Sequence, residues 1–392
     1  MSNLTRRSLF KASAGLAGAA ALSRVTPAFA QQAEQTTLVM IHLEGGYNSL
    51  FCSADSFIGS GSFGTSAGTV KMLGNGLAVD APTFGTLPQA ALDSMASVGI
   101  DHGLTAHEAA QTSLWTTNNR SYPLILAQQM GGDAPIKAAV VGSNMVFGPH
   151  PAEGDVSMQS ITDMRATIVA LGGDVGDPSV PKRTIATDAL SNANTMSNRR
   201  LLRSPNNLRS VSDGFTTGVA ALKKNGLVLD YNELTNAYGV SNTTTGVTNF
   251  RTQMVAAELM VLAGANVVSM IDGGWDTHGD TDGSGVRDQM NSRILPPLKT
   301  FLSRTLAMPG RNVVVAILGD FARSLPGSDH QSNLTATVIG KYVKQGTTGK
   351  VDSNVGLPNG TPGIQQFWAY LTAVSKVASA PFGANPHTAI TM

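Results

Sequence analysis

Residues 266–280, NVVSMIDGGWDTHGD, and residues 312–332, NVVVAILGDFARSLPGSDHQS, decide how this chain is read. Each opens with an apolar, β-branched run of strand length and closes in a burst of carboxylates and imidazoles. Asp276, Thr277, His278 and Asp280 follow the first run, and Asp320, Arg323, Asp329 and His330 follow the second. An open α/β sheet keeps its ligand site just past the carboxyl ends of its parallel strands. The two bursts are therefore expected to meet at one sheet edge.

Working outward, Val255, Leu259 and Leu262 recur at helical spacing before the first run, and Gly264 supplies a stop. A helix over about 286–307 separates the two runs, with Leu295, Leu298 and Leu302 on one face and Pro309-Gly310 ending it. Strand, helix, strand is the pattern of a crossover in a mostly parallel sheet. Residues 36–43, TTLVMIHL, predict a first strand that ends in Glu44-Gly45-Gly46-Tyr47-Asn48. Residues 137–142 predict another strand, and 364–377 a final helix. Residues 52–86 are Gly/Ser-rich with little period, 87–100 resume a helical pattern, and a helix is expected from His107. The Ser/Asn/Arg-rich segment 186–214 reads as a long surface excursion. The fold expected is α/β, a central, mostly parallel mixed sheet flanked by helices, in a single domain over 31–392.

Composition narrows the class. Of the 392 residues 42% are hydrophobic, enough for a sizeable core, and only 14% are charged. Aromatics are 6%, too sparse for a base-stacking platform. Residues 1–30 carry Arg6, Arg7, Lys11 and Arg24 and no acid, precede an Ala/Gly-rich apolar segment, and end in Ala28-Phe29-Ala30. This is similar to a twin-arginine export signal. The apolar part, about residues 12–22, is too short to span a bilayer. The expected partner in export is the twin-arginine translocase, and the expected destination is the periplasm or the medium. Taking those four charges from the 27 basic residues leaves 23 against 26 acidic ones, a net charge of −3 for the remainder. That balance gives no reason to expect nucleic acid or an anionic membrane as partner, and no integral membrane segment is expected in the remainder. Cys52 is the one cysteine, so no intrachain disulfide forms. With nothing basic near it in sequence, its thiol is expected to be inert.

Asp276-x-His278 in an irregular loop allows both side chains to reach one ion, and Gly273-Gly274 let the backbone bend away from the strand. Carboxylate with imidazole suits zinc or manganese, and suits calcium less because calcium prefers oxygen. His42 reads as a packed core histidine, and His150 lies in a rigid Gly-Pro-His-Pro loop. Thr105 precedes a predicted helix and reads first as its N-cap. There is no nucleotide fingerprint, paired cysteine or haem motif to support a redox protein.

The combination GGWDTHGD, strand, D-F-A-R and G-S-D-H-Q resembles an uncharacterised exported family, domain of unknown function family 1501, related to the alkaline phosphatase and sulfatase superfamily. The resemblance is close over about 250–345 and looser over 36–50 and 104–111. It implies an alkaline phosphatase-like sheet with two metal positions at the strand ends. Asp276, His278 and His330 would supply one, and Asp320 with the first-strand residue Asn48 the other. It also implies a hydroxyl nucleophile at a helix start, for which Thr105 is the nearest group. His107 is placed to ligate or to orient an anion, and Arg323 to clamp a small anionic ester. The chain departs from the family pattern twice: Asn48 stands where a carboxylate is usual, and Ala106 stands where a serine is usual. One expectation is thus an exported hydrolase of phosphate or sulfate esters with one or two ions. The other is a non-catalytic, metal-depleted relative acting as a periplasmic or surface binding or structural component.

Overall fold

Strand β1 (Gln35–Leu43) is the first element after the predicted signal and lies at the centre of a nine-stranded sheet. In chain order its companions are β2 (Met95–Asp101), β3 (Ala138–Val141), β4 (Ala152–Glu153), β5 (Val156–Ile161), β6 (Val267–Asp272), β7 (Arg311–Gly319), β8 (Asn333–Gly340) and β9 (Gly346–Thr347). Their order across the sheet is β9-β2-β8-β7-β1-β6-β3-β5-β4. The computed structural model describes residues 34–142, 152–171, 229–323 and 329–392, and within it Gln35–Met392 forms one compact unit. The signal reading of 1–30, the excursion at 186–214 and His150 lie outside the described residues.

Register explains why the sequence bursts converge. β1 is parallel to β6 and to β7, pairing Leu43 with Asp272 on one side and with Gly319 on the other. The crossover from β6 to β7 therefore passes over β1. β8 is antiparallel to both β7 and β2, and pairs Asn333 with Asp101. The end of β2 and the start of β8 thus share the edge at which β1, β6 and β7 finish.

Alternation along the central strands builds a core on each face. Val39, Ile41, Val268, Met270, Val315 and Ile317 pack with helices α3 (Phe250–Ala263) and α4 (Leu295–Thr305). Leu38, Met40, Val267, Val314 and Ala316 face α1 (His107–Trp115), α2 (Tyr122–Met130) and α5 (Ile364–Val374). On that side Trp368 is fully buried and stacks on Tyr122 at a centroid distance of 5.3 Å. Helix α3 starts with a reciprocal Asn249–Thr252 capping box and stops at Gly264, whose φ of 84° is left-handed. The helix predicted at 286–307 comes in three pieces: Ser284–Gln289, a π turn over Met290–Ile294, and α4. Pro296 and Pro297 cannot donate to the ladder, which accounts for the interruption.

Two expectations are corrected. The helical pattern over 87–100 is helix only at Gln89–Asp93, and Met95–Asp101 is β2. Six of its residues are buried, so no polar face exposes a strand period. Strand β8 lies where no element was read from the sequence, and the whole strand is buried although it carries Thr335 and Thr337. Their hydroxyls are satisfied internally, Thr337 by Tyr47 at 2.6 Å and Thr335 by Ser49 at 3.4 Å.

One buried imidazole gives the fold an acid-sensitive point. His387 is 1% exposed and sits 2.7 Å from the Thr348 hydroxyl, and burial holds it down at about 4. The unfolded chain takes up a proton near 6.5 that the folded chain refuses until about 4, so this contribution is complete above 6.5 and is lost as pH falls through that window. Urea unfolding should show the parent losing roughly 3 kcal/mol more than His387→Gln between those limits. Equal losses in the two chains would rule the histidine out as the cause.

Candidate metal centre

Three loops leave the common edge and touch there. Gly45 and Gly46 have φ of 113° and 140°, and this lets the loop after β1 lie flat against its neighbours. A Cβ on Gly45 would stand 2.3 Å from the Asp276 backbone nitrogen, and one on Gly319 would stand 2.4 Å from the Gly46 carbonyl carbon. Trp275 N donates to Glu44 O at 3.0 Å, and Tyr47 N to Phe321 O at 2.9 Å, so the loops are also bonded together. The Trp275 indole donates to Asp272 Oδ2 at 2.8 Å and fixes the Gly-Gly-Trp turn that projects Asp276 and His278 outward.

The side chains so delivered converge. His278 Nε2 lies 3.0 Å from Asp276 Oδ1, His330 Nε2 lies 3.8 Å from the same oxygen, and His107 Nε2 lies 3.7 Å from Asp276 Oδ2. His330 Nε2 and His278 Nε2 are 3.1 Å apart. The rings of His330 and His107 rest on Phe321, at centroid distances of 4.1 and 4.8 Å. Asp276 and His278 are about half exposed, so the cluster opens to solvent.

What the imidazoles do with their other nitrogens decides their chemistry. His330 Nδ1 is 2.7 Å from the carbonyl oxygen of Thr105, which only accepts, so Nδ1 carries a proton and Nε2 is the nitrogen turned inward. His107 Nδ1 is likewise 2.5 Å from Asp320 Oδ2 and donates to it. Two rings in fixed tautomers and a third imidazole thus surround the Asp276 carboxylate: donor atoms of His107, Asp276 and His330 lie within 4.8 Å of one another, and so do those of His278, Asp329 and His330. Around a tetrahedral ion with bonds of about 2.0–2.1 Å, neighbouring donor atoms stand roughly 3.3 Å apart, and the separations here bracket that figure. The donor set fits zinc or manganese. Burial pushes the Asp276 carboxyl up, but Arg323, then His278 and His107, outweigh it and hold the group below the usual carboxylate range, as a ligand requires.

Of the residues singled out by sequence, Asp276, His278 and His330 come together, and His107 joins them as a fourth donor. Asp320 does not face the same point. It is fully buried and its oxygens are taken: Oδ1 by His42 Nε2 at 2.7 Å, and Oδ2 by His107, Gly45 N at 3.0 Å and Gln111 Nε2 at 3.2 Å. Asn48 is also buried, and its Oδ1 accepts from Leu50 N at 3.0 Å, a contact within its own turn. The second metal position expected from Asp320 and Asn48 is therefore not assembled by these contacts.

Arg323 differs from the expected anion clamp for a similar reason. It is 1% exposed, and its Nη2 donates to Asp276 Oδ1 at 2.5 Å, to Trp275 O at 3.3 Å and to Gly45 O, so the guanidinium ties the loops to the ligand carboxylate. Thr105 gives its backbone carbonyl to His330, while its side chain lies outside the helix start. The N-cap of α1 is Ala106, without a side-chain cap, so the capping role read for Thr105 does not hold either. Cys52 is buried, and burial pushes its thiol up to about 12, which keeps it protonated.

Sequence reasoning missed the role of His42. It read as a core histidine, and it is one, but it is hydrogen-bonded to Asp320 across 278 residues of chain. Its position one residue before the end of β1, level with Leu318 of β7, was the available signal. No protein-family model matches this chain, and no curated protein matches it. Fold and site together define an α/β protein with a histidine-rich cluster at the carboxyl edge of its sheet. The family resemblance rests on the motifs alone.

Proposed function

We propose that this chain is an exported, alkaline phosphatase-like protein that hydrolyses small phosphate or sulfate esters with one zinc or manganese ion held by His107, Asp276, His278 and His330. The observation that carries this reading is the convergence of three Nε2 atoms on the Asp276 carboxylate, two of them in tautomers fixed by Asp320 and Thr105. When bound, such an ion polarises an ester oxygen and supplies an activated water at neutral pH. The chain contributes the anionic ligand, the oriented imidazoles and an open face. Helix α1 begins at His107 with no side-chain cap, so its positive end adjoins the centre and favours an anionic ester there. Export rests on residues 1–30. No helix among the described residues is long and apolar enough to cross a membrane.

A second reading, a non-catalytic periplasmic or surface binding component, draws support from the buried state of Arg323 and the filled oxygens of Asp320. Metal content by mass spectrometry on protein taken from the periplasm, paired with turnover of aryl phosphate and aryl sulfate esters, separates them. One ion per chain with turnover fits the hydrolase. One ion without turnover leaves the binding protein. Protein that holds no ion and takes none up from excess zinc or manganese excludes the centre itself.

A further inference from the structure

We infer that the buried pair His42–Asp320 is the positioning element of the centre: Asp320 does not ligate but holds His107 in the tautomer that can, and His42 holds Asp320. This rests on the metal reading given above. Both partners are 0% exposed, and the His42 Nε2–Asp320 Oδ1 distance is 2.7 Å. A buried carboxylate without partners is costly, and this one receives four donors: His42, His107, Gln111 and the Gly45 amide. Three of those donors, His107 among them, share Oδ2, and His42 holds Oδ1.

The consequence for His107 is specific. An N–H donated to a carboxylate fixes the ring orientation and raises the basicity of the opposite nitrogen more than a neutral acceptor does. His330 has only the Thr105 carbonyl at the same place. The centre thus combines one imidazole backed by a buried anion with one backed by a peptide carbonyl. His42 is further fixed by an edge contact with Trp115, at a centroid distance of 5.5 Å, so the support runs from the sheet core through Asp320 to the ligand.

Asp320→Asn tests this sharply, because an amide offers one accepting oxygen where the carboxylate offered two. It cannot accept from both His42 and His107, so one ring must change tautomer or lose its bond. The expected result is a folded chain that still takes up one zinc from excess metal, but with affinity 10–100-fold weaker in competition with a chelator. Long-range proton–nitrogen NMR of the metal-free chains should show His107 as the Nδ1–H tautomer in the parent and as a mixture or the Nε2–H form in the variant. His42→Gln keeps a donor toward Asp320 and should hold affinity within about threefold of the parent, whereas His42→Leu, which fills the space without a donor, should weaken it further; equal affinities in the two would reduce His42 to a space-filling role. An Nε2–H tautomer for His107 in the metal-free parent overturns the inference without any variant, even if Asp320→Asn fails to fold. So does unchanged zinc affinity in Asp320→Asn. A parent chain that binds no zinc, yet shows the Nδ1–H tautomer, sinks the metal reading and leaves the positioning of His107 standing.

Discussion

Asp276→Asn is expected to lose, under dialysis, the one ion that the proposed centre of the parent should keep. Two effects act in the same direction. The amide removes the one anionic donor that faces the three imidazoles. It also leaves the charge of buried Arg323 uncompensated beside the ion's position, because the carboxylate that neutralised it at 2.5 Å is gone. A dication then meets a like charge in place of a near-neutral pair. The loss of affinity should exceed the roughly 10–100-fold that removal of an outer partner costs. The amide oxygen can still accept from Arg323, but the buried guanidinium loses its counter-ion, so stability should fall as well. Asp329→Ala is the matching control. Asp329 is largely exposed and 3.6 Å from His278 Nδ1, so its removal should weaken binding less than tenfold. If the metal content of Asp276→Asn equals that of the parent, the ligand assignment is wrong.

Gly45→Ala is expected to do the greatest damage to the fold of any single methyl group placed near the centre. The added carbon would lie 2.3 Å from Asp276 N and 2.7 Å from Trp275 C, both backbone atoms that cannot turn aside, on a residue whose φ is 113°. Overpacking and a disfavoured backbone region each cost about 1–3 kcal/mol, so a loss of about 4 kcal/mol in urea unfolding is expected. Gly61→Ala separates the two terms. Its φ is also positive, at 66°, but nothing lies within 4 Å of the new carbon, so only the conformational cost of about 1–2 kcal/mol remains. Similar losses for the two variants would mean that the close approach of the loops does not matter to stability. Metal affinity should fall in Gly45→Ala alone.

The parts of this molecule that were legible in sequence are those with one dominant local cause. β1, β6 and β7 are almost continuous apolar runs because both faces of each are covered, and they were found within a residue or two. α3 was betrayed by its helical spacing and by Gly264. β2 and β8 failed because small and hydroxylated residues fill buried positions there, and burial of a threonine depends on a partner far away in sequence. The site followed the same rule. Which ligand-type residues gather was readable from strand ends. Which of them face the ion's position was not, since Asp320 and Asp276 are both an aspartate one to four residues past a strand. The difference lies in four donors from two distant segments that claim Asp320 first. Arg323 was misassigned because a charge in a loop does not reveal whether it points outward or bonds to the carbonyls beneath it.

The central position of β1 has a consequence for when the protein acquires its shape. Its two neighbours, β6 and β7, come more than two hundred residues later in the chain, so the middle of the sheet cannot close while the chain is being made in order. Until residue 272 is available, β1 has both edges open, and the edge that takes β7 stays open until residue 319, so His42 and Gly45 lack Asp320 until then. Pairing across such separations is slow. The proposed centre therefore assembles only after β7, and a chain interrupted before β6 contains His107 alone of the four proposed ligands.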